Sequence, residues 1–464
     1  MESPKFNKVL NKKDIFVIAF GAMIGWGWVV NIGEWLTNAG AIGAAISFLI
    51  GGFMIFFVGV IYAELTAAMP KCGGEHVFSY RAMGKGGSFV CTWAIILSYV
   101  AIAAFEAASI PTVMRHIIGD AFNINYLYSV NGTPIYASHI IVGCSLAVLI
   151  TYVNIRGIKT AALLQRIFTL IIGLSGILLV AASAVNGSPD HIAANMFSKP
   201  ELFDGNILGG ILTVTCMTPY LFLGFDVIPQ AAEEINLPIR KISKVILFSI
   251  GIAVIFYVLV LLAVAYVMPV SEIEHSMKYG LVTADAMAIA FRSGLMAKVL
   301  IIGGLCGIIT SWNSFMLGGS RALFSMGESG MLPECFGRLS EKHKTPAIAL
   351  LLCGCVCFVA PFFGKEVLLW LADASSFACC VAYFLVSVSF LILRKKDADM
   401  ERPYKIRHGR FVGTVSCILT GLMVLLYLIP IPFSNSMLSP EEWVILAVWI
   451  LLGMILYFVK RKKQ

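Results

Sequence analysis

The first apolar segment of the chain contains two closely spaced glycines at its centre. Residues 15–33 include no Lys, Arg, Asp or Glu. As a helix rising about 1.5 Å per residue, they would nearly cross a hydrocarbon core of roughly 30 Å. Gly25 and Gly27, however, are residues that disfavour a helix interior. Main-chain groups freed at membrane depth are tolerated only beside a cavity or a ligand, so the segment predicts a membrane helix that is broken at a binding site.

A break here would present two kinds of main-chain group. The half-helix starting near Trp28 would direct its positive end and its spare N–H groups toward a carboxylate. The carbonyl groups ending the preceding half, near Met23, would suit an ammonium group or a metal cation. In the alternative interpretation, Gly21 and Gly25 form a small-residue face for helix packing.

The composition is that of a helical protein spanning a membrane many times. Hydrophobic residues make up 59% of the chain and charged residues only 13%, which is too apolar for a soluble domain. The 12 cysteines include no C-x-x-C pair, so we expect neither a disulfide framework nor a zinc site. Twelve spans are predicted, at residues 15–38, 40–69, 88–118, 138–155, 160–184, 206–235, 244–269, 295–325, 346–362, 366–393, 411–431 and 442–459.

The basic residues predict how these spans are oriented. If the N-terminus is inside and the spans alternate, the inner segments hold 28 of the 34 Lys and Arg residues. This positive-inside pattern predicts a protein of the cell membrane with two cytoplasmic termini, residues 1–13 and 460–464, flanking a transmembrane domain of residues 14–459. The pattern also accounts for the net charge of +8, so no nucleic-acid partner is implied.

The sixth span contains a second interruption. Pro219 and Pro229 each remove a backbone donor, Gly224 loosens the middle, and Asp226 places a charge at membrane depth. A kinked packing helix would also explain these residues. The first and sixth spans, however, open successive groups of five helices, and because five is odd the second group would be inverted. Matching breaks in inverted halves predict a binding site at their interface.

Five short motifs in a fixed order show a family resemblance. They are Gly25-Trp26-Gly27; Ala63-Glu64-Leu65 with Gly73-Gly74-Glu75; Gly224-Phe225-Asp226 with Ala231-Ala232-Glu233-Glu234; Ser320-Arg321 with Gly330-Met331-Leu332-Pro333; and Arg402-Pro403-Tyr404. Over nearly its whole length the chain resembles the amino acid–polyamine–organocation (APC) transporter superfamily. The resemblance implies an all-α membrane fold with about 12 transmembrane helices. Helices 1–5 (14–184) and 6–10 (206–393) would form two inverted five-helix repeats with helices 1 and 6 broken, and helices 11 and 12 (411–459) would be peripheral.

The resemblance also implies where a substrate binds. In relatives, N–H groups of the first break hold the substrate carboxylate, and carbonyl groups of both breaks hold its amino group. By similarity to the arginine–agmatine antiporter, a gating aromatic and a far-wall tryptophan complete the site. The corresponding residues here are Gly25, Trp26 and Gly27 for the carboxylate, Met23, Tyr220 and Leu223 for the amino group, Tyr220 for the gate and Trp312 for the wall.

Two of these positions leave alternatives open. Trp26 stands where Ser or Thr is usual, so it offers a main-chain N–H but no hydroxyl, and its bulk would reduce the pocket. Asp226, beside Gly224 in the second break, is either a direct ligand or a hydrogen-bonded cap on the broken helix.

A coupling ion is implied without being identified. Some proton-coupled relatives carry a Lys in helix 5 that replaces a sodium ion between helices 1 and 8, and Ile172 stands at that place here. On helix 8, hydroxyl groups could bind sodium, or they could bond only to their own helix; these are Thr310, Ser311 and Ser314. Coupling to a proton or a sodium gradient is therefore left open, and no cofactor is expected.

Acidic residues within the spans need partners. Glu106, midway along the third span, would cost ~2.5–3.5 kcal/mol if unpaired, so we expect it to face the bundle interior or to be protonated. It could carry a proton, balance the charge of the substrate amino group, or bond to a neighbouring helix as a structural group. Four acidic residues lie near predicted cytoplasmic helix ends, namely Glu64, Glu75, Glu233 and Glu234. They are either solvated there or linked to Arg81, Arg240 or Arg321. In the alternative interpretation, some of them form a cytoplasmic gate.

We predict a secondary transporter of amino acids or related amines that works by alternating access, as a symporter or an antiporter. An enzyme is the alternative class, but the chain has no H-E-x-x-H, G-x-S-x-G or Walker-type loop. A channel would need a continuous polar lining. The expected partners are the substrate and the lipid bilayer. The sequence specifies neither the substrate nor the oligomeric state.

Overall fold

Helices form most of the described structure. The computed structural model describes residues 5–197, 199, 202, 205–430 and 437–461, so parts of both predicted cytoplasmic termini lie outside the described residues. The helices are α1 Lys12–Met23, α2 Gly27–Ala68, α3 Glu75–Ile118, α4 Ala137–Arg156, α5 Ile158–Asn186, α6 Pro189–Ala194, α7 Ile207–Leu221, α8 Val227–Gln230, α9 Ile239–Val267, α10 Val270–Tyr279, α11 Val282–Phe291, α12 Gly294–Glu328, α13 Ala347–Val359, α14 Gly364–Lys396, α15 Gly409–Leu428 and α16 Pro440–Arg461.

Many of these helices suit a membrane. Among the described residues, nine helices are long and apolar enough to cross a bilayer, namely α2, α3, α4, α5, α9, α12, α14, α15 and α16. Three shorter apolar segments add to them, formed by α7, α11 and α13 with its 3-10 extension to Phe362. The protein is therefore a multi-pass helical membrane protein.

The start of α1 is fixed by a capping box. The side chain of Asn11 accepts hydrogen bonds from the N–H groups of Lys13 and Asp14, at 2.9 and 3.2 Å. The carboxylate of Asp14 in turn accepts from the N–H of Asn11 at 2.9 Å, which satisfies the first free donors of the helix. Arg166 of α5 bonds the same carboxylate at 2.5 Å and so ties α1 to the bundle.

A glycine separates the first two predicted spans within α2. Gly40 has φ 72° and ψ 176°, so the backbone is not helical at this point. The left-handed region favours glycine, and a Cβ here would also lie 2.5 Å from the backbone of Phe197. The helical segments on either side of Gly40 correspond to the outer half of the first predicted span and to the second.

One described segment between predicted spans is a small β-hairpin. Strand β1 (Tyr126–Val130) pairs in antiparallel fashion with β2 (Thr133–Tyr136). Asn131 and Gly132, which join them, have φ values of 46° and 79°. Asn-Gly is the preferred sequence for such a turn because both residues tolerate positive φ. This segment lies between the third and fourth predicted spans, where no helix is predicted, and the fold around it is mostly helical.

The core is built from long helices that pack side by side. α3 lies along α14 and α12, and α2 lies along α9 and α7. The interrupted helices α1–α2 and α7–α8 meet inside this frame. The fold therefore brings the two predicted breaks together in the interior of the bundle.

Candidate functional site

The first predicted break is present in the structure. α1 ends at Met23, and α2 begins at Gly27. The N–H of Ile24 still donates to the carbonyl of Phe20 at 2.9 Å. Among the described residues, the N–H groups of the three following positions, Gly25, Trp26 and Gly27, have no hydrogen-bond acceptor. These donors are therefore unused at the start of a 42-residue helix.

The second break is also present, and it touches the first. α7 ends at Leu221, and α8 begins at Val227. Between them Gly224 has φ 137°, and a Cβ on it would lie 2.5 Å from the Cβ of Ala22 and 3.0 Å from the N of Met23. Only glycine allows this close approach of the two backbone segments.

Tyr257 of α9 connects the ends of both half-helices. Its hydroxyl donates to the carbonyl of Met23 at 2.7 Å and contacts the carbonyl of Leu221 at 3.5 Å. The side chain is 1% exposed. Sequence analysis missed this residue, since a tyrosine in an apolar span carries no local sign of a distant partner.

A cavity of about 320 Å³ lies against the breaks and extends toward Glu34 and Glu442. Six of the ten predicted substrate residues line it, namely Met23, Gly25, Trp26, Gly27, Glu106 and Tyr220. The other four, Leu223, Gly224, Asp226 and Trp312, are not in its lining. The lining also includes polar residues outside that set of ten, among them Asn31, Glu34, Thr213, Asp373, Ser376 and Glu442.

Asp226 is held behind the cavity wall. Its carboxylate accepts hydrogen bonds from the hydroxyl of Tyr99 and from the N–H of Gly224, both at 2.8 Å. It is fully buried. The carboxylate thus bonds the backbone within the break and the tyrosine of α3, and it makes no side-chain cap bond to α8.

The bulky Trp26 fits because α12 carries a glycine opposite it. A Cβ on Gly304 would lie only 2.2 Å from Cζ3 of the Trp26 ring. The ring therefore packs against a helix face without a side chain and is 4% exposed. Trp26 lines the cavity, and its ring packs against α12 at Gly304.

Glu106 faces the first break from α3. A Cβ on Gly25 would lie 3.0 Å from Oε1 of Glu106. That oxygen accepts a hydrogen bond from the hydroxyl of Ser311. The other oxygen, Oε2, is buried and has no hydrogen-bond partner among the described residues. One carboxyl oxygen beside the unused N–H groups is thus left without a partner.

The three hydroxyls considered for sodium have protein partners. Thr310 donates to the carbonyl of Gly307 at 2.9 Å, Ser314 donates to the carbonyl of Ile18 at 3.0 Å, and Ser311 bonds Glu106. The Cδ1 atom of Ile172 lies 2.4 Å from the position that a Cβ on Gly307 would take. The described residues contain no group of three or more His, Cys, Asp or Glu side chains able to hold a metal ion.

Comparison with known proteins decides the family. The model of the amino acid permease family matches residues 10–456. The chain belongs to this family, within the APC superfamily. The permease is similar to a branched-chain amino acid permease of Bacillus subtilis (strain 168), with 26% identity over 97% of this chain and 92% of that protein.

Two other relatives from the same organism carry different transporter names. A methylthioribose transporter is 23% identical over 100% of the permease and 95% of its own length. An aspartate–proton symporter is 24% identical over 90% of the permease and 79% of its own length. The family and the relatives indicate amino acid transport across a membrane, and the permease is not an enzyme.

A buried amide network holds α1 against α5 and α12. The amide nitrogen of Gln165 donates to the carbonyls of Val17 and Thr310, both at 3.1 Å. Its amide oxygen accepts from Asn313 at 2.8 Å, and Asn313 accepts from Asn154 at 2.9 Å. The half-helix before the first break is therefore fixed to the bundle by polar side chains that sequence analysis did not single out.

Ion pairs lie at the face of the permease where α1 begins. Arg321 pairs with Glu234 at 2.9 Å, and the two side chains are 0% and 2% exposed. Glu64 pairs with Arg394 at 2.5 Å and with Arg402 at 3.0 Å. The predicted link between Arg321 and Glu234 is present, whereas Glu64 has partners that were not predicted.

Glu75 is not at a solvated helix end, which was one of the alternatives considered for it beside an ion pair and a gating role. It is the first residue of α3 and is fully buried. It accepts a hydrogen bond from Gln230. Its burial follows from the contact of the segment around Gly74 with Pro229 and Gln230, where a Cβ on Gly74 would lie 3.2 and 3.3 Å away.

Proposed function

We propose that this permease is a secondary transporter that binds the α-carboxylate and the α-ammonium group of an amino acid at the first break. One observation carries the proposal: residues 25–27, whose N–H groups are unused, line the same cavity as Glu106, whose Oε2 atom has no hydrogen-bond partner among the described residues. Donors at a helix start attract an anion, and a buried carboxylate attracts a cation. A zwitterion satisfies both groups together.

In this arrangement the carboxylate binds the N–H groups of Gly25, Trp26 and Gly27. The ammonium group binds Glu106 and the carbonyl of Tyr220. The carbonyl of Met23 already accepts from Tyr257, so it has one lone pair left for the substrate. Of the remaining predicted residues, Leu223, Gly224 and Asp226 belong to the second break itself, and Trp312 lies outside the cavity lining.

Two inverted repeats and 12 spans fit this site. In the proposed arrangement, residues 14–184 and 206–393 form the repeats, residues 411–459 add two helices, and both termini are cytoplasmic. The contact of Gly224 with Ala22 supports this arrangement because it joins the two breaks at the interface between the halves. The distribution of basic residues supports the orientation.

Alternating access explains why the cavity reaches one side of the bundle. With cytoplasmic termini, the face where α1 begins is the inner face, and the buried pair of Arg321 and Glu234 closes it. The cavity extends instead toward Glu34 and Glu442 on the outer side. Transport requires that the inner ion pairs separate after the substrate binds.

For the coupling ion we favour a proton over sodium. The hydroxyls of Thr310, Ser311 and Ser314 bond to protein groups, and Ile172 fills space beside Gly307. One relative is named as a proton symporter. We expect uptake to respond to an imposed pH gradient and to remain unchanged when sodium replaces potassium at equal ionic strength. Sodium-driven uptake that falls in Ser311→Ala would contradict this assignment.

Counterflow of labelled amino acids into proteoliposomes tests the function. The panel includes branched-chain amino acids, aspartate and methylthioribose, which appear in the names of relatives. The decisive variant is Gly27→Val, because a Cβ on Gly27 would lie 2.9 Å from Leu221. We expect it to abolish counterflow without loss of membrane insertion.

Gly173→Val is the matched control, since nothing lies within 4 Å of a Cβ on that residue. Normal counterflow by Gly27→Val would remove the first break from the substrate site. Loss of counterflow in both variants would mean that the assay reports damage to the helix rather than to the site.

A further inference from the structure

The cavity lining has more carboxyl groups than a neutral amino acid needs. Four of its lining residues have carboxyl groups, namely Glu34, Glu106, Asp373 and Glu442. Among the described residues that line it, none is Lys, Arg or His. The ammonium group of a zwitterion requires one carboxylate, and Asp373 offers the cavity a second carboxyl group.

These carboxyl groups lie at two depths. Glu106 faces the first break, and a Cβ on Gly25 would lie 3.0 Å from it. Glu34 stands about two helical turns beyond Gly27 in α2. Asp373 interacts electrostatically with both Glu34 and Glu442. The cavity therefore has an inner pole, the carboxyl group of Glu106 at the break, and an outer pole, formed by the carboxyl groups of Glu34, Asp373 and Glu442.

The inner pole has a carboxyl oxygen without a partner among the described residues. Glu106 is 4% exposed, and its Oε2 atom has no hydrogen-bond partner among the described residues. An unpaired carboxylate at membrane depth is costly. Glu106 lines the cavity together with residues 25–27, so a cationic group entering the cavity would approach its carboxyl group beside the unused N–H groups of the break.

The outer pole is open to the cavity. Glu34 and Asp373 line the cavity with exposed side chains, whereas Glu442 is 8% exposed and accepts from the N–H of Ser439 at 2.9 Å. Tyr220 interacts electrostatically with both Glu106 and Asp373. Tyr220 is therefore a lining residue that interacts with the carboxyl groups of both poles.

We propose that the permease selects dibasic amino acids such as lysine, ornithine and arginine. The inference rests on the proposed function, which assigns the α-carboxylate and the α-ammonium group to the break and Glu106. The second cationic group of the substrate binds at Asp373, assisted by the charges of Glu34 and Glu442. A substrate with an anionic side chain is repelled at the same place because no basic group of the lining offsets the carboxylates.

Competition for lysine uptake into proteoliposomes tests this selectivity. The unlabelled competitors are ornithine, arginine, leucine, aspartate and cadaverine, which is lysine without its carboxylate. We expect the dibasic amino acids to compete at least tenfold more strongly than leucine and cadaverine, and aspartate not to compete. Equal competition by leucine or by aspartate would overturn the inference, and stronger competition by cadaverine would identify a diamine site instead.

The failure of this inference and that of the proposed function have different outcomes. Uptake of neutral amino acids without preference for lysine leaves the transporter proposal intact and removes the second cationic site. Absence of uptake for every amino acid in the panel contradicts the proposed function itself.

Asp373→Asn tests the second pole directly, because it keeps the shape of the side chain and removes its charge. We expect the ratio of lysine affinity to leucine affinity to fall at least tenfold. If this variant does not fold, Glu34→Gln serves the same purpose, with an expected fall of at least threefold. The control is Glu334→Gln at a side chain that is 76% exposed and pairs with Arg338, and it should keep the parental ratio. An unchanged ratio in Asp373→Asn would assign that carboxyl to structure only.

Discussion

The hydroxyl of Tyr257 donates a hydrogen bond of 2.7 Å to the carbonyl of Met23, the last residue of α1. The same hydroxyl reaches the carbonyl of Leu221, at the end of α7, at 3.5 Å. Carbonyl groups at a helix end lack partners within the helix. Tyr257 therefore stabilises the ends of both broken helices with one polar atom and fixes their separation.

We expect Tyr257→Phe to weaken both transport and stability. The change leaves a buried carbonyl without its donor, at a cost of about 1–3 kcal/mol. The KM for the best substrate should rise roughly fivefold or more, and the thermal midpoint in detergent should fall. Tyr152→Phe is the control, since that ring is 52% exposed on α4. Parental KM and midpoint in Tyr257→Phe would show that the bond contributes nothing to the site.

Glu106→Gln should separate the roles open to that carboxyl. The variant keeps the shape and an oxygen that can accept from Ser311, but it removes the charge facing the break. We expect affinity for amino acids to fall at least tenfold and the pH dependence of uptake to flatten. The control is Glu341→Gln at an exposed residue. Unchanged affinity and pH profile would leave Glu106 as a structural group.

The two breaks could be predicted because their cause is local. Glycines and prolines within an apolar segment weaken a helix wherever the chain packs. The partners of the buried polar groups could not be predicted in the same way. Met23 and Tyr257 are 234 residues apart, and Glu64 and Arg394 are 330 residues apart. Such pairs depend on how the helices pack, and a single sequence carries no signal of that packing.

The hairpin at residues 126–136 and the buried start of α3 show two further limits of prediction from the sequence. The hairpin carries an Asn-Gly turn, which is a local signal that the hydropathy pattern of membrane spans does not contain. Glu75 gives the opposite case, because a charged residue beside two glycines has the pattern of a solvated loop. Contact with Pro229 and Gln230 overrides that pattern.

Gly304→Ala should disturb the site from outside the cavity lining. The new Cβ would lie 2.2 Å from the ring of Trp26, so the ring or α12 must move. Overpacking of this kind typically costs about 1–3 kcal/mol. We expect uptake to fall at least fivefold while the protein still inserts into the membrane. Gly251→Ala in α9 is the matched control, since nothing lies within 4 Å of its Cβ, and equal uptake in the two variants would contradict the packing of Trp26 against Gly304.

The buried pair of Arg321 and Glu234 should be the ion pair most sensitive to mutation. Arg321 contacts both carboxylate oxygens of Glu234, at 2.9 and 3.2 Å. Arg321→Met leaves Glu234 buried without its partner, and breaking such a pair costs about 3–5 kcal/mol. We expect a large fall in the thermal midpoint of the purified protein, and partial recovery in the double variant with Glu234→Gln, which removes the orphaned charge.

Arg338→Met provides the comparison for that pair. Arg338 and Glu334 form an ion pair of 3.7 Å with side chains 75% and 76% exposed. Exposed pairs contribute only about 0–1 kcal/mol because water screens the charges. The thermal midpoint should therefore hardly change. If both Arg321→Met and Arg338→Met lowered the midpoint equally, or if the double variant were no more stable than Arg321→Met, burial of the Arg321–Glu234 pair would not be the cause of its sensitivity.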